Sequence, residues 1–386
     1  MPLVKAIIYT LIVFTLIYYA IKKKDSDNLY QIIMFFCWVV IALSMDSYDI
    51  SNYRAAYDYG LFRKKEPLFD LLQWVFSSIG VPFSVFKLAY GTVIWVLLYK
   101  AFQNFTANKA LAAVMFVIGP MMGFGTQMRS SMAGAIVIYS LPLLLKKDEK
   151  IWKYCALVAL ASLFHLMAVF YFVFLIPRYV KIRSEKFRNI LCIIALALIP
   201  FLLLFSGLIS QLFGWMQTIT DIGIVNTTLA RFQQYFSGSM SPNIKGFLFS
   251  ACGHFAAFYL TDRACSAMLY LRNRKEEQNE DAFLLSRYAI TYLRKLNSIM
   301  VLFIPCYLLS MQFDRFFGYF VPIGYCLIAQ GSRELSLVTK KRFAGQLELV
   351  LLFACLLFCF FVNNRFTEQS EFVRIINGIA LFGFGI

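Results

Sequence analysis

Charge is scarce in this chain: only 15% of its 386 residues are Asp, Glu, Lys or Arg, whereas 60% are apolar and 41 are phenylalanine. A soluble globule of this length needs far more charged surface, so the composition excludes a water-soluble enzyme. The high apolar content and the lack of a short repeat exclude a disordered or fibrous chain. The composition therefore predicts an all-α polytopic membrane protein in which residues 1–386 form a single membrane domain.

The signatures of several other protein classes are missing. The sequence has no GxxxxGK[ST], no strand-linked GxGxxG and no HExxH, so neither ATP-driven chemistry nor a dedicated metal site is indicated. None of the nine cysteines forms a CxxC pair. We therefore expect no metal and no cofactor. The net charge of +16 comes from short basic clusters between apolar runs, which is typical of cytoplasmic membrane loops and not of nucleic-acid binding.

Ten apolar runs approach the length needed to cross the roughly 30 Å hydrocarbon core of a bilayer. They lie near residues 2–21, 29–45, 83–100, 110–125, 130–145, 189–213, 246–261, 297–312, 318–331 and 346–362. Residues 68–80 are too short and carry Asp70, which favours an interfacial or re-entrant helix. With the ambiguous segments 152–176 and 376–386, the sequence predicts roughly 10–13 transmembrane helices.

Basic residues in short connections predict the orientation, because such loops stay preferentially in the cytoplasm. The basic connections are 22–24, 146–153, 178–188, 263–275, 294–295 and 333–342. Residues 262–296 are predicted as a long basic cytoplasmic loop. Segment 152–176 then lies between two cytoplasmic loops, so it is either a re-entrant hairpin with its tip near Phe164–His165 or a single span with one basic loop on the wrong side.

This orientation assigns four segments to the outer face: residues 46–67, 125–129, 217–245 and 312–317. The first of them carries Asp46 and, at intervals of four that share one helix face, Asp49, Tyr53 and Tyr57. Carboxylates beside phenol rings suit the hydroxyls and apolar faces of a sugar. A solvated loop with interfacial tyrosines would have the same composition.

Three arginines flank apolar runs on the predicted outer side: Arg129, Arg231 and Arg315. An arginine next to hydrocarbon is costly unless it is paired or binds a ligand, and guanidinium binds phosphate oxygens in a bidentate way. We therefore interpret the three as a candidate anion site, with Lys64 and Lys65 as weaker members. Neighbouring carboxylates could also pair with these arginines structurally.

Candidates for sugar contacts and proton transfer accompany the arginines. Tyr235 and Tyr319 follow Arg231 and Arg315 by four residues, and Gln127 precedes Arg129 by two. His165 is the first candidate for a general base because it lies at the predicted hairpin tip and imidazole exchanges protons near neutral pH. Asp49 and Glu66 are the alternative bases, and they could instead orient the sugar.

The ordered series of these motifs resembles the EpsG/Wzy-type family of bacterial exopolysaccharide and capsule polymerases. The series covers roughly residues 40–325 and reads Asp49 with Tyr53 and Tyr57, Glu66-Pro67, Gln127-Met128-Arg129, Phe164-His165, Arg231 to Tyr235, and Arg315 to Tyr319. The sequence departs from the family pattern at Met128 and in the apolar residues after His165.

The resemblance implies a membrane glycosyltransferase that polymerises repeat units at the outer face of the bacterial cytoplasmic membrane. It implies that a growing glycan on undecaprenyl diphosphate is transferred onto the non-reducing end of a new lipid-linked repeat unit. Flippase and chain-length regulator proteins are then implied as partners. The alternatives are a flippase or transporter of lipid-linked oligosaccharide, or another membrane glycosyltransferase or ligase that uses a lipid-linked sugar.

Overall fold

The computed structural model describes residues 2–22, 26–61, 66–146, 151–219, 244–274, 284–310 and 313–339, together with single positions between 226 and 237. Fourteen α-helices account for most of these residues, and no strand occurs among them. In chain order they are α1 Pro2–Lys22, α2 Asp27–Leu43, α3 Tyr48–Asp58, α4 Pro67–Ser78, α5 Phe83–Phe105, α6 Lys109–Ile118, α7 Met121–Thr126, α8 Met128–Ser140, α9 Ile151–Phe164, α10 Ile176–Tyr179, α11 Ser184–Ile219, α12 Ile244–Arg274, α13 Arg287–Met300 and α14 Asp314–Thr339. The predicted all-α membrane class is confirmed.

Three of the described helical stretches are both long and apolar enough to cross a membrane: Phe83–Phe105, Ser184–Ile219 and Arg287–Leu308. A fourth candidate is the pair of α2 and α3, which is bent by 50°. α12 and α14 have 31 and 26 residues but contain more polar side chains. The described part of the chain thus contains fewer long apolar helices than the 10–13 transmembrane helices predicted from the sequence. The predicted segments at 346–362 and 376–386 lie outside the described residues.

Proline and glycine divide two of the segments that were predicted as single spans. The span near 110–125 is two helices, α6 and α7, because Gly119 and Pro120 interrupt the helical hydrogen bonds. The span near 130–145 is α8 followed by a 3₁₀ turn that contains Pro142. α6 nevertheless lies at the centre of the bundle, with every residue from Ala110 to Ile118 buried.

The segment at 152–176 is a hairpin. α9 ends at Phe164, His165 is extended with φ −152°, and a 3₁₀ helix continues over Leu166–Leu175. The Tyr154 hydroxyl donates to the Tyr171 carbonyl at 2.8 Å, which requires the two arms to lie side by side. Each arm is only about 20 Å long, which is shorter than a bilayer core. The prediction of a hairpin with its tip at Phe164–His165 is confirmed.

The predicted basic loop at 262–296 is corrected, because α12 covers residues 262–274 and α13 covers 287–296. Several charged residues of these two helices have partners within the bundle. Arg272 binds Glu334 through two hydrogen bonds of 2.6 and 3.0 Å, and Lys295 donates to the Val180 carbonyl at 2.6 Å. The sequence pattern indicated a loop because it shows the cations but not their partners.

α14 connects the two ends of the bundle and packs closely on α12. Gly324 and Gly331 face Thr261 and Ala264 of α12, and a Cβ at either glycine would lie about 3 Å or less from those side chains. Small residues at such positions let two helices approach closely. Arg315 and Glu334 lie about 28 Å apart along α14, given a rise of roughly 1.5 Å per residue. Charged groups around these two residues therefore belong to opposite ends of the bundle.

A buried lysine joins three helices near the Arg315 end. Lys87 of α5 is 1% exposed, and its ammonium donates to the carbonyls of Ile41 in α2 and Gly125 in α7. Both carbonyls lie in the last turn of their helices, where a positive charge is favourable. Lys87 thus supplies a donor to the Ile41 carbonyl and shares the Gly125 carbonyl with the Ser44 hydroxyl, which donates to it at 3.3 Å.

We expect Lys87→Met to lower the free energy of unfolding by roughly 1–3 kcal/mol, because the buried Ile41 carbonyl loses this donor and the Gly125 carbonyl keeps only the Ser44 hydroxyl. The measurement is the thermal unfolding midpoint of the full chain in detergent. Lys100→Met is the matched control, since Lys100 lies on the same helix and is exposed. Equal midpoints for the two variants would contradict the structural role of Lys87.

Candidate functional site

A single buried carboxylate joins two of the predicted functional residues. Glu66 is 1% exposed. One of its oxygens accepts a hydrogen bond from the Arg129 guanidinium, and the other lies 2.9 Å from Nδ1 of His165. These partners are 63 and 99 residues away in the sequence. Because an ionised carboxylate only accepts, the imidazole donates its Nδ1 proton to Glu66 and presents Nε2 to its surroundings.

Local structure keeps the Glu66 side chain available for these two contacts. Glu66 occupies the N-cap position of α4 and Pro67 follows at the first helical position, where a missing N–H costs nothing. The Asp70 carboxylate accepts from the Glu66 backbone N–H at 3.3 Å. The Glu66 side chain makes no capping hydrogen bond itself. The cap is thus formed by Asp70 and the backbone, which leaves the Glu66 carboxylate for Arg129 and His165.

Of the three arginines predicted to bind an anion, the two that the structure describes each lie in the first turn of a helix. Arg129 is the second residue of α8, and Arg315 is the second residue of α14. The Tyr53 hydroxyl lies 3.2 Å from Nε of Arg129 and accepts its hydrogen bond. Helix N-termini carry unpaired N–H groups and a partial positive charge, and they attract anions. Two guanidinium groups and two helix N-termini therefore create positive potential in one region.

His165 reaches this region because the hairpin reverses there. The residue separates α9 from the following 3₁₀ helix, and its backbone carbonyl accepts from Ala168 N–H at 2.8 Å. α9 packs against α8, which carries Arg129. The hairpin tip is thus held beside the start of α8.

A cavity of about 120 Å³ brings four of the predicted residues together. Arg129, His165, Arg315 and Tyr319 all line it, and Ser130 and Tyr171 add hydroxyl groups. Tyr319 donates to the Gln127 side chain at 3.3 Å, so Gln127 supports the wall of this cavity. We call this space the arginine cavity. Its lining combines two guanidinium groups with an imidazole, which suits an anionic ligand that exchanges a proton.

Arg129 also lines a second cavity, of about 50 Å³. Asp49 and Tyr53 line it from α3, as the spacing of four residues predicts, together with Asn52, Asp70 and Gln73. We call it the acidic cavity. Carboxylates, amides and a phenol ring are the groups that bind sugar hydroxyls and sugar faces. Arg129 lines both cavities, so it is shared by the predicted anion-binding site and the predicted sugar-binding site.

Two candidate sugar-binding residues lie away from these cavities. Tyr57 is 4% exposed, its hydroxyl donates to the Val81 carbonyl at 2.7 Å, and its ring packs on Phe83 and Phe86. We therefore assign Tyr57 to the packing of α3 against α5 instead of to sugar binding. Asp46 precedes α3 and lines neither cavity. Four other candidates lie outside the described residues: Lys64, Lys65, Arg231 and Tyr235.

The cavities also contain polar residues that the sequence analysis did not single out. Asn52 follows Asp49 by three residues on the same helix face, so the periodicity alone could have indicated it. Gln73 follows Asp70 by three residues on α4, so the same periodicity connects these two. Tyr171 comes from the 3₁₀ arm of the hairpin, and no local spacing connects it with the rest of the site. No cluster of three or more His, Cys, Asp or Glu side chains that could hold a metal occurs in the described parts of the chain.

Gly134 allows Tyr319 to form the wall of the arginine cavity. A Cβ at this glycine of α8 would lie 2.5 Å from the Tyr319 ring. We expect Gly134→Ala to displace the ring and to lower the free energy of unfolding by about 1–3 kcal/mol. The measurement is thermal unfolding in detergent. Gly123→Ala is the matched control because its Cβ would meet no atom within 4 Å; an equally stable Gly134→Ala would contradict the close contact.

Comparison with known proteins agrees with this arrangement of motifs. The EpsG family matches the chain over residues 27–377, which includes every residue of the two cavities. No curated protein and no solved structure matches the chain. The family match covers far more than half of the sequence and the helices are those of a membrane protein. The chain is therefore a multi-pass membrane protein that belongs to the EpsG family.

Proposed function

We propose that this chain is a polysaccharide polymerase that acts at the outer face of the bacterial cytoplasmic membrane. It transfers a growing glycan from undecaprenyl diphosphate to the non-reducing end of a new lipid-linked repeat unit. Membership of the EpsG family supports a role in polysaccharide biosynthesis. The observation that carries the proposal is the contact of Glu66 with both Arg129 and His165 beside a cavity that also contains Arg315.

His165 is the proposed general base. Glu66 accepts a hydrogen bond from Nδ1, so Nε2 is the nitrogen that takes the proton from a sugar hydroxyl in the arginine cavity. Glu66 itself is a positioning residue, because both of its oxygens are engaged and it is almost fully buried. This favours His165 over Glu66 as the group that takes the proton. Asp49 lines the neighbouring cavity and binds the acceptor sugar instead.

Arg129 and Arg315 are the proposed ligands of the diphosphate. In the transfer, the acceptor oxygen forms a bond to the anomeric carbon of the donor sugar, and the bond between that carbon and the diphosphate oxygen breaks. The leaving diphosphate keeps the electron pair, and the hydroxyl proton goes to His165. Guanidinium groups and helix N-termini at the leaving group stabilise the negative charge that develops there. The sugar–phosphate bond is already activated, so no nucleotide is required.

The acidic cavity is the proposed site for the sugar of the incoming repeat unit. Asp49, Asn52 and Gln73 offer both donors and acceptors for hydroxyl groups. Arg129 lines both cavities, which supports an acceptor hydroxyl bound in this cavity close to a donor diphosphate in the arginine cavity. This arrangement brings both substrates to His165 and requires only one phosphate-binding region.

We expect Arg315→Ala to reduce chain extension by about 100-fold or more, because it removes a cation from the charge that develops in the transition state. The measurement is the length ladder of the polysaccharide on a gel, at equal amounts of protein in the membrane. Arg129→Ala should have the same effect but also lose stability, since it leaves buried Glu66 without its partner. Arg315 is therefore the sharper test.

Arg54→Ala is the matched control. Arg54 lies on α3 beside the acidic cavity, but its side chain is 60% exposed and pairs with Asp58. A normal ladder for Arg315→Ala would contradict the proposed diphosphate site. The same gel distinguishes the transporter alternative: an inactive polymerase leaves single repeat units at the outer face, whereas an inactive transporter leaves none there.

We expect His165→Gln to slow turnover by about 10²–10⁴-fold, because glutamine can accept a hydrogen bond but cannot take up a proton. The measurement is the rate of glycan transfer by the purified chain in lipid vesicles. His254→Gln serves as the control histidine, since His254 bonds to the Tyr307 hydroxyl at 2.7 Å away from both cavities. Full turnover by His165→Gln would exclude His165 as the base.

A further inference from the structure

A larger cavity lies at the opposite end of the bundle from the candidate active site. Its volume is about 660 Å³, and it opens between α11, α12, α13 and α14. Arg188 of α11, Arg263 of α12 and Arg294 of α13 line it together with apolar side chains. Neither Arg129 nor His165 belongs to this lining. We call this space the α11–α12 crevice.

Two arginines share one buried carboxylate in the crevice. Asp262 is 6% exposed and accepts from Arg188 at 2.5 Å and from Arg294 at 2.7 and 3.3 Å. Arg294 also approaches Glu185 at 3.6 Å, but the Glu185 side chain is 71% exposed. Arg263 lines the same crevice. The lining therefore contains three guanidinium groups together with the carboxylates of Asp262 and Glu185.

Arg188 has donors that an anion can engage. Its Nε and one terminal nitrogen bond to the neutral Asn189 side chain at 3.2 and 3.1 Å, and the side chain is 29% exposed. Phosphate oxygens bind guanidinium more strongly than a neutral amide does. A phosphate can therefore replace Asn189 on Arg188 without breaking the bond to Asp262.

Apolar side chains also line the crevice. Cys192, Phe258 and Leu260 line it beyond the arginines. α11 meets the bundle mainly through α13 and the 3₁₀ segments after it, and most of its surface is exposed and apolar, as at Leu196, which is 68% exposed. In a membrane-spanning helix such a face contacts acyl chains. A ligand that fits has an anionic head and a hydrocarbon tail.

We propose that the α11–α12 crevice binds one acidic phospholipid, with the phosphate between Arg188 and Arg263 and an acyl chain along Cys192 and Phe258. Basic pockets between membrane helices recognise lipid headgroups in this way. The occupant comes from the leaflet that meets the Arg294 end of the bundle. Its phosphate binds the guanidinium groups, and its chain fills the space between α11 and α12.

Native mass spectrometry of the full chain tests this proposal. The protein is purified in detergent and incubated with equal amounts of phosphatidylglycerol and phosphatidylcholine. We expect retention of one phosphatidylglycerol and about tenfold less in the Arg188→Gln, Arg263→Gln double variant, because the phosphate loses both charge-assisted partners. Arg183→Gln is the matched control, since Arg183 is exposed in the same basic segment and does not line the crevice.

Ala267→Trp gives a second, independent test, because it fills the crevice without altering a charge. It should displace the lipid as the double variant does. Equal retention of phosphatidylcholine, or unchanged retention of phosphatidylglycerol in both variants, would overturn the proposal. Displacement of bound phosphatidylglycerol by an equal amount of undecaprenyl phosphate would also overturn it, since the crevice would then select a polyprenyl lipid.

Discussion

The candidate active site depends on the ion pair and hydrogen bond that converge on Glu66. A buried carboxylate is costly unless each oxygen has a partner, and here Arg129 and His165 supply one each. This requirement joins the start of α4, the start of α8 and the hairpin tip after α9 at a single point. The same contacts fix the tautomer of His165 and the position of Arg129. Stability of the fold and geometry of the site are therefore set by the same three side chains.

The sequence predicts which residues belong to the candidate site more readily than it predicts the contacts between them. The periodicity of α3 gave the shared face of Asp49 and Tyr53, and the basic clusters gave the hairpin at Phe164–His165. The contact between Glu66 and His165 joins residues 99 positions apart, and no local pattern encodes it. Tyr57 is a case in which helix periodicity gave a wrong assignment. Its spacing places it on the right helix face, but only the neighbouring α5 shows that this part of the face is packed.

Predictions from charge patterns were wrong where the charged side chains are paired inside the protein. The cations of residues 262–296 indicated a loop, whereas Arg272 and Arg294 pair with Glu334 and Asp262 within the helical bundle. Lys87 is a similar case, since its partners are backbone carbonyls that any sequence possesses. Helix breaks at Gly119–Pro120 and Pro142 also shortened predicted spans. Hydropathy measures apolar character along the chain, but it does not show where a helix is interrupted.

The hairpin of α9 and the following 3₁₀ helix has a consequence for biogenesis. Neither arm reaches across the hydrocarbon core, so the segment cannot enter the bilayer as an independent span when it leaves the ribosome. Its polar backbone turn at His165 is tolerated at membrane depth only after protein surrounds it. α4 and α8 are synthesised earlier, and both pack against α9. The His165 imidazole therefore reaches its position only after these earlier helices are in place. If α8 inserted incorrectly, the proposed general base would not be positioned in the site.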